Sequence, residues 1–206
     1  MTDVRFFDPL DYGSLPDSVA GALMDCALMP LDSIEPFEDP GIYALFYCGD
    51  FPAYSSLVAV EKSAPGSHPI YIGKATPSTR MGNSDGLIPG NLTGRNLYDR
   101  LRQHSKSIIQ ANNLRVEDFS AKILVLSYIW VPMAESAMIG KYKPVWNSCI
   151  DGFGNHDPGS GRIRGFCSRW DTLHPGRPWV SKFPPRKETQ SDLIHEAEHF
   201  IDESMN

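Results

Sequence analysis

At 206 residues, with 41% hydrophobic and 21% charged side chains, the chain is long enough to bury a core and ordinary in composition for a globular protein. No apolar run approaches the roughly 18 residues of a membrane span, and the acidic start lacks the basic-then-apolar order of a signal peptide, so a cytoplasmic protein with no membrane partner is expected. The net charge of −6 does not exclude a polyanionic partner: residues 1–40 and 188–206 are acidic and residues 94–115 and 148–187 basic, and screening over about 8 Å lets a ligand sense the local potential.

Residues 1–40 hold Pro9, Pro16, Pro30, Pro36 and Pro40, and Val19, Ala20, Leu23 and Ala27 recur at helical spacing, which predicts a short helix over 16–28 within an N-terminal arm. The run GIYALFYC over 41–48, bounded by Pro40 and Gly49, predicts a buried strand. Residues 54–60 read as a strand or a short helix, and HPIYIG over 68–73 predicts a second strand. The Gly- and Pro-rich stretch 75–94 reads as a loop. From Arg95 to about Ala111 a helix is predicted, because Leu97, Leu101 and Ile108 fall in one stripe; His104 lies beside it and Arg100 one turn earlier. FSAKILVLSYIW over 119–130 predicts a third strand. Pro132 suits the first turn of a helix that must stop before Pro144, with Glu135, Met138, Ile139 and Tyr142 on one face. After Trp146 and Asn147 comes the glycine-rich DGFGNHDPGSGRIRG, then aromatics mixed with Arg and Pro as far as Lys187. A closing amphipathic helix over 189–203 places Leu193, Ile194, Ala197, Phe200 and Ile201 together. The order strand, strand, helix, strand, helix describes a small α/β (α+β) layer, too short of strands for a doubly wound sheet. One compact domain is expected, with an arm over 1–40, a core over 41–147 and an extension over 148–206.

Cys26, Cys48, Cys149 and Cys167 form no Cys-x-x-Cys pair, which argues against structural zinc and gives no reason to invoke disulfides. Glu135 is the most demanding residue, since an unpaired buried carboxylate is costly. It must be neutralised, paired with Arg100 or Lys141, or bound to a metal, and a lone carboxylate completed by water and phosphate is the usual manner of Mg²⁺. His104 alone would be a hydrogen-bonded core histidine; with Arg100 on the same helix edge the two could move a proton and stabilise phosphate charge. Tyr43 and Tyr71, each alone, would be core aromatics with hydroxyls at the sheet margin.

GIY at 41–43, YIG at 71–73, Arg100 and His104 on one helix, Glu135 on the next and Asn147 soon after resemble, in order and spacing, the GIY-YIG nuclease superfamily over residues 41–147. YKPVWN at 142–147, GFGNHDPGSGR at 152–162 and HPGR at 174–177 extend the resemblance to its dimeric type II restriction endonucleases that cut the palindrome CCGCGG. The resemblance implies a three-stranded antiparallel sheet flanked by helices. It also implies a phosphodiester hydrolase acting on double-stranded DNA as a homodimer. Tyr43, with Tyr71 beside it, would act as or position the general base, and His104 would assist. Arg100 would bind the scissile phosphate, Glu135 one Mg²⁺ (or Mn²⁺ in its place), and Asn147 would orient the surrounding network. Lys74 is a phosphate candidate. Asn155, His156, Arg162, Arg164, Arg169 and Arg177 are candidates for DNA contact, since a bidentate arginine on guanine is the commonest base-specific contact. A repair or homing-type nuclease of the superfamily is the alternative.

His195, Glu196 and His199 match the HExxH pattern of zinc proteases, but both histidines fall opposite the apolar stripe and only seven residues remain for a third ligand. A catalytically silent DNA-binding module is a third possibility, against which the intact Tyr43, Tyr71, Arg100, His104 and Glu135 count.

Overall fold

The computed structural model describes residues 15–38, 40–76, 95–157 and 165–205. From residue 77 onward the loop expected over 75–94 lies outside them, as do Arg162 and Arg164.

The sheet is four-stranded: β1 (Met29–Pro30), β2 (Gly41–Tyr47), β3 (Tyr71–Ala75) and β4 (Phe119–Val125) stand in the order β1-β4-β2-β3, every neighbouring pair antiparallel. Helices flank it: α1 (Leu15–Met24), α2 (Ser55–Ser63), α3 (Asn96–Gln110), α4 (Val131–Tyr142), the single turn α5 (Val145–Ser148), α6 (Arg169–Leu173) and α7 (Gln190–Ser204). The three expected strands are present. The fourth is a two-residue edge piece from the Pro-rich arm, too short to show any period in the sequence.

All seven residues of β2 are buried, because β2 is a central strand covered on both faces. Alternate side chains divide between two cores: Tyr43, Leu45 and Tyr47 join the cluster with α3, α5, α6 and α7, while Ile42, Ala44 and Phe46 pack with α1 and α4. Burial on both sides is why this strand reads as an unbroken apolar run.

Several boundaries differ from the sequence reading: α1 ends at Met24 rather than at 28, and β3 runs over Tyr71–Ala75 rather than 68–73. β4 stops at Val125 rather than at 130, since Trp130 N donates to Ser127 O (2.9 Å) and the chain turns straight into α4. Residues 55–63 are helical, with Leu57, Val58 and Glu61 inward. The Glu61 carboxylate accepts the backbone N–H groups of Gly66, Ser67 and His68, which shapes the turn delivering β3.

β3 is an edge strand, and an open edge exposes a row of backbone groups. Here α5 closes it: Ile72 N donates to Asn147 Oδ1 (2.8 Å), Asn147 Nδ2 donates to Ile72 O (2.8 Å), and Trp146 N donates to Ile70 O (3.1 Å). The last helix is held at its start by a capping box between Thr189 and Asp192, and its Leu193, Ala197 and Ile201 enter the same core as Tyr43.

Candidate active site

Two glycines explain how the tyrosine strands can pack. A Cβ on Gly41 would overlap the Leu124 carbonyl of β4, and one on Gly73 would overlap the Tyr43 phenol. Each glycine stands where a neighbouring group crosses the strand, so the GIY and YIG patterns have a steric cause. With Gly73 bare, the Tyr43 ring lies across β3.

There Tyr43 Oη hydrogen-bonds His104 Nε2. Helix α3 delivers the histidine as predicted: Leu97, Leu101 and Ile108 are buried and His104 beside them is 1% exposed. Tyr71 completes a triangle of rings, its centroid 6.2 Å from Tyr43 and 5.2 Å from His104. Burial pushes the Tyr43 and Tyr71 phenols up, partly offset for both by the Arg100 guanidinium, and Glu135 pushes both further up. Burial first, then Arg100, holds His104 well below the ordinary imidazole range. The phenol and the imidazole are therefore both neutral near pH 7, and His104 Nε2 is a free-pair acceptor for the Tyr43 proton.

Arg100 does not reach Glu135. Its Nη2 donates to Gly154 O (2.9 Å), its Nη1 meets His156 Nε2, and Nη1 also lies 3.3 Å from Gln103 Oε1. Glu135 is not deeply buried either: its side chain is 19% exposed at the margin of α4, and its Oε2 pairs with Lys74 Nζ at 2.7 Å. The expected partners Arg100 and Lys141 are thus replaced by Lys74, because alternation along β3 turns Lys74 toward α4. Lys141 instead pairs with Asp17 of α1. An open cleft follows the end of β3, lined by Lys74, Thr76, Asn96, Asp99, Arg100, Gln103 and His156.

Among the described residues no group of three or more His, Cys, Asp or Glu could enclose a metal ion. One partly exposed carboxylate beside a cleft fits a hard cation that completes its shell from water and phosphate, and it does not fit tetrahedral zinc. Lys74 shares that carboxylate.

The remaining candidates separate. Arg177 is 3% exposed, and all five of its N–H groups are used inside the chain, on both Asp171 oxygens and on the carbonyls of Gly152, Phe153 and Asn155. It has no donor left for a base edge, which corrects its reading as a DNA contact. Arg169 is paired with Glu196. That pairing also occupies the acid of the HExxH pattern, whose two histidines are exposed on α7 with no third ligand among the described residues, so the zinc-protease reading does not assemble. Asn147 hydrogen-bonds the Ile72 backbone through both Oδ1 and Nδ2 and so holds the strand that carries Tyr71. Asn155 is exposed, and His156 turns to Arg100.

Reading the sequence for chemistry missed Phe153. It stacks on His104 (4.4 Å between centroids, 20° between planes) and meets Tyr71 edge-on at 4.9 Å. The one signal was a lone aromatic between two glycines in an otherwise polar loop. His174 was noted only inside the HPGR pattern. It proves to be a core residue hydrogen-bonded to Tyr54 Oη (2.7 Å) and Asn113 Oδ1 (2.9 Å).

A family model described as the Eco29kI GIY-YIG domain matches residues 35–201. A search among curated proteins found no match. The matched span runs from just before β2 to the last turn of α7, covering β2, β3 and β4 but not the edge piece β1, and includes every cleft residue named above.

Proposed function

This chain belongs to the Eco29kI GIY-YIG family of restriction endonucleases and is a nuclease acting on DNA, and from that premise we propose a type II, Mg²⁺-dependent enzyme that cuts both strands of a GC-rich palindrome such as CCGCGG as a homodimer. The observation that carries the reading is the Tyr43–His104 hydrogen bond inside a triangle closed by Tyr71, with Arg100 beside it. A palindrome presents two equivalent strands, and a two-fold dimer supplies one site to each.

In this scheme no phenolate is stored, since burial disfavours it. The attacking water passes a proton to Tyr43 Oη while the Tyr43 proton moves to His104 Nε2, so base strength is called on only in the transition state. Arg100 sets a delocalised positive charge at the mouth of the cleft, where the pentacovalent phosphate gathers negative charge. Tyr71 holds the apolar wall beside Tyr43 and excludes bulk water from the relay. Glu135 would hold the divalent cation, which supplies Lewis-acid charge neutralisation at phosphate oxygens. Lys74 stands where either Glu135 or a phosphate can take its charge. Packing of α6 and α7 into the core shared with Tyr43 favours a compact restriction enzyme over a repair or homing nuclease built from separate modules.

The test is Glu135→Gln. Plasmid DNA should give discrete fragments with the wild type in Mg²⁺ and none in chelator. The variant should lose cleavage while retaining gel-shift affinity, and full retention of cleavage would remove Glu135 from the cation's site.

A further inference from the structure

The loop that follows α5 packs against His104, the partner of Tyr43, and against Tyr71. Its Phe153 ring is 1% exposed and stacks on His104. One residue on, Gly154 O accepts from Arg100 Nη2, and a Cβ there would stand 3.0 Å from Tyr71 Oη and 3.1 Å from Arg100 Nη2. His156, exposed to solvent, places Nε2 against Arg100 Nη1. Burial, and then Arg100 itself, lowers the His156 pKa, so the ring accepts from the guanidinium instead of repelling it. The loop is in turn gripped from behind by Arg177, which takes three of its carbonyls and is locked to Asp171.

We propose that Phe153, Gly154 and His156 are positioning residues of the active site, anchored by Arg177: the loop aims the Arg100 guanidinium and fixes the plane of the His104 ring. This rests on the reading of Arg100 and His104 as the nuclease's phosphate and proton groups. It assigns to the reaction a stretch whose polar residues had looked like readers of DNA bases. A guanidinium held on one edge by a carbonyl and an imidazole has its orientation set before DNA arrives, which lowers the entropy lost in reaching the reactive geometry. Stacking does the same for the imidazole, whose Nε2 must stay in line with Tyr43 Oη.

The decisive variants are His156→Ala and His156→Gln, both at an exposed position that leaves the core untouched. With enzyme in excess over a plasmid fragment cut by the wild type, His156→Ala should slow single-turnover cleavage by about 100-fold, the scale of a small misplacement at a reacting centre. Gel-shift affinity in chelator and Tm should stay at wild-type values. His156→Gln, whose amide oxygen can accept from Arg100, should recover much of the rate. Cleavage by His156→Ala at the wild-type rate would overturn the proposal, and so would loss of affinity with an unchanged rate at saturating DNA, which marks a DNA contact. A readout independent of cleavage is the NMR spectrum of histidine-labelled protein. Ring-current shielding of His104 by Phe153 should disappear in Phe153→Leu, and an unmoved His104 resonance would overturn the stacking role. Should the wild type cut no DNA, the nuclease reading falls, while the NMR arm still decides whether the loop holds His104.

Discussion

The Tyr43 phenol occupies space that only a glycine at position 73 leaves open. Gly73→Ala is accordingly a test of the whole arrangement with one methyl group. The added Cβ must push the ring off His104 Nε2, at a cost of about 1–3 kcal/mol for overpacking. Urea unfolding should show that modest loss, while cleavage should fall far more steeply, because the displaced hydroxyl is the one in the relay. A drop in stability with undiminished cleavage would mean that the ring finds another route to His104. At this scale the sequence was legible where the motif has a steric or chemical cause inside its own strand or helix. The placement of Tyr43 and Tyr71 on buried strands and of His104 beside the buried stripe of α3 is of that kind, whereas their meeting was implied only by the family resemblance. Arg177 was not legible, since a surface guanidinium and a buried one look alike until its five acceptors, three carbonyls of the preceding loop and both Asp171 oxygens, are brought round it.

Among the elements, α5 with the loop over 149–157, together with α6, does much to organise the cleft. It closes the β3 edge through Asn147, sends Phe153 into the aromatic cluster of Trp146 and Trp170, and returns to Arg177, whose guanidinium also lies over the Trp170 ring at 4.7 Å. Burial of a side chain such as Phe153 contributes about 1.5–3 kcal/mol, so the loop is held by packing as well as by hydrogen bonds. Arg177→Met would leave Asp171 charged and buried with Ser168 as its remaining partner. The expected loss is about 3–5 kcal/mol in urea or thermal unfolding. A variant as stable as the wild type would show that the pair is dispensable to the fold. Helical periodicity predicted α3 and α7 well because each buries one stripe. The end of β4 was misread because apolar residues continue through the turn into α4, where Ile129 and Trp130 stay exposed.

For the molecule as a whole, two buried histidines govern the response to acid. His104 and His174 both have folded pKa values below the ordinary 6.5, His174 pushed down to about 3 by burial. The unfolded chain therefore takes up protons first as pH falls below about 6.5, and stability declines through the window down to the folded values. Each such histidine can cost up to about 1.4 kcal/mol per pH unit. Thermal unfolding followed from pH 7.5 to 4.5 should show a falling Tm, and His174→Gln should flatten the slope by close to one proton. A Tm indifferent to pH across that range would contradict the neutral state of both rings. Among the described residues no helix is long and apolar enough to cross a membrane. The basic segments between acidic ends remain compatible with a DNA-facing surface on a chain of net charge −6.

By itself the sequence determined the elements whose cause is local: a central strand apolar on both faces, a helix with one buried stripe, a strand bare at Gly73, and the order of motif residues that marks the family. Tertiary structure alone decided which partner each charge would meet. Glu135 pairs with Lys74, which the sequence reading set aside for phosphate; Arg100 turns to the glycine-rich loop, and Arg177 becomes a buried clamp. The reason is physical: strand and helix periods are written in neighbouring residues, whereas an ion pair depends on which side chains chain reversal brings within a few ångströms, and many charged residues are equally competent until the fold chooses.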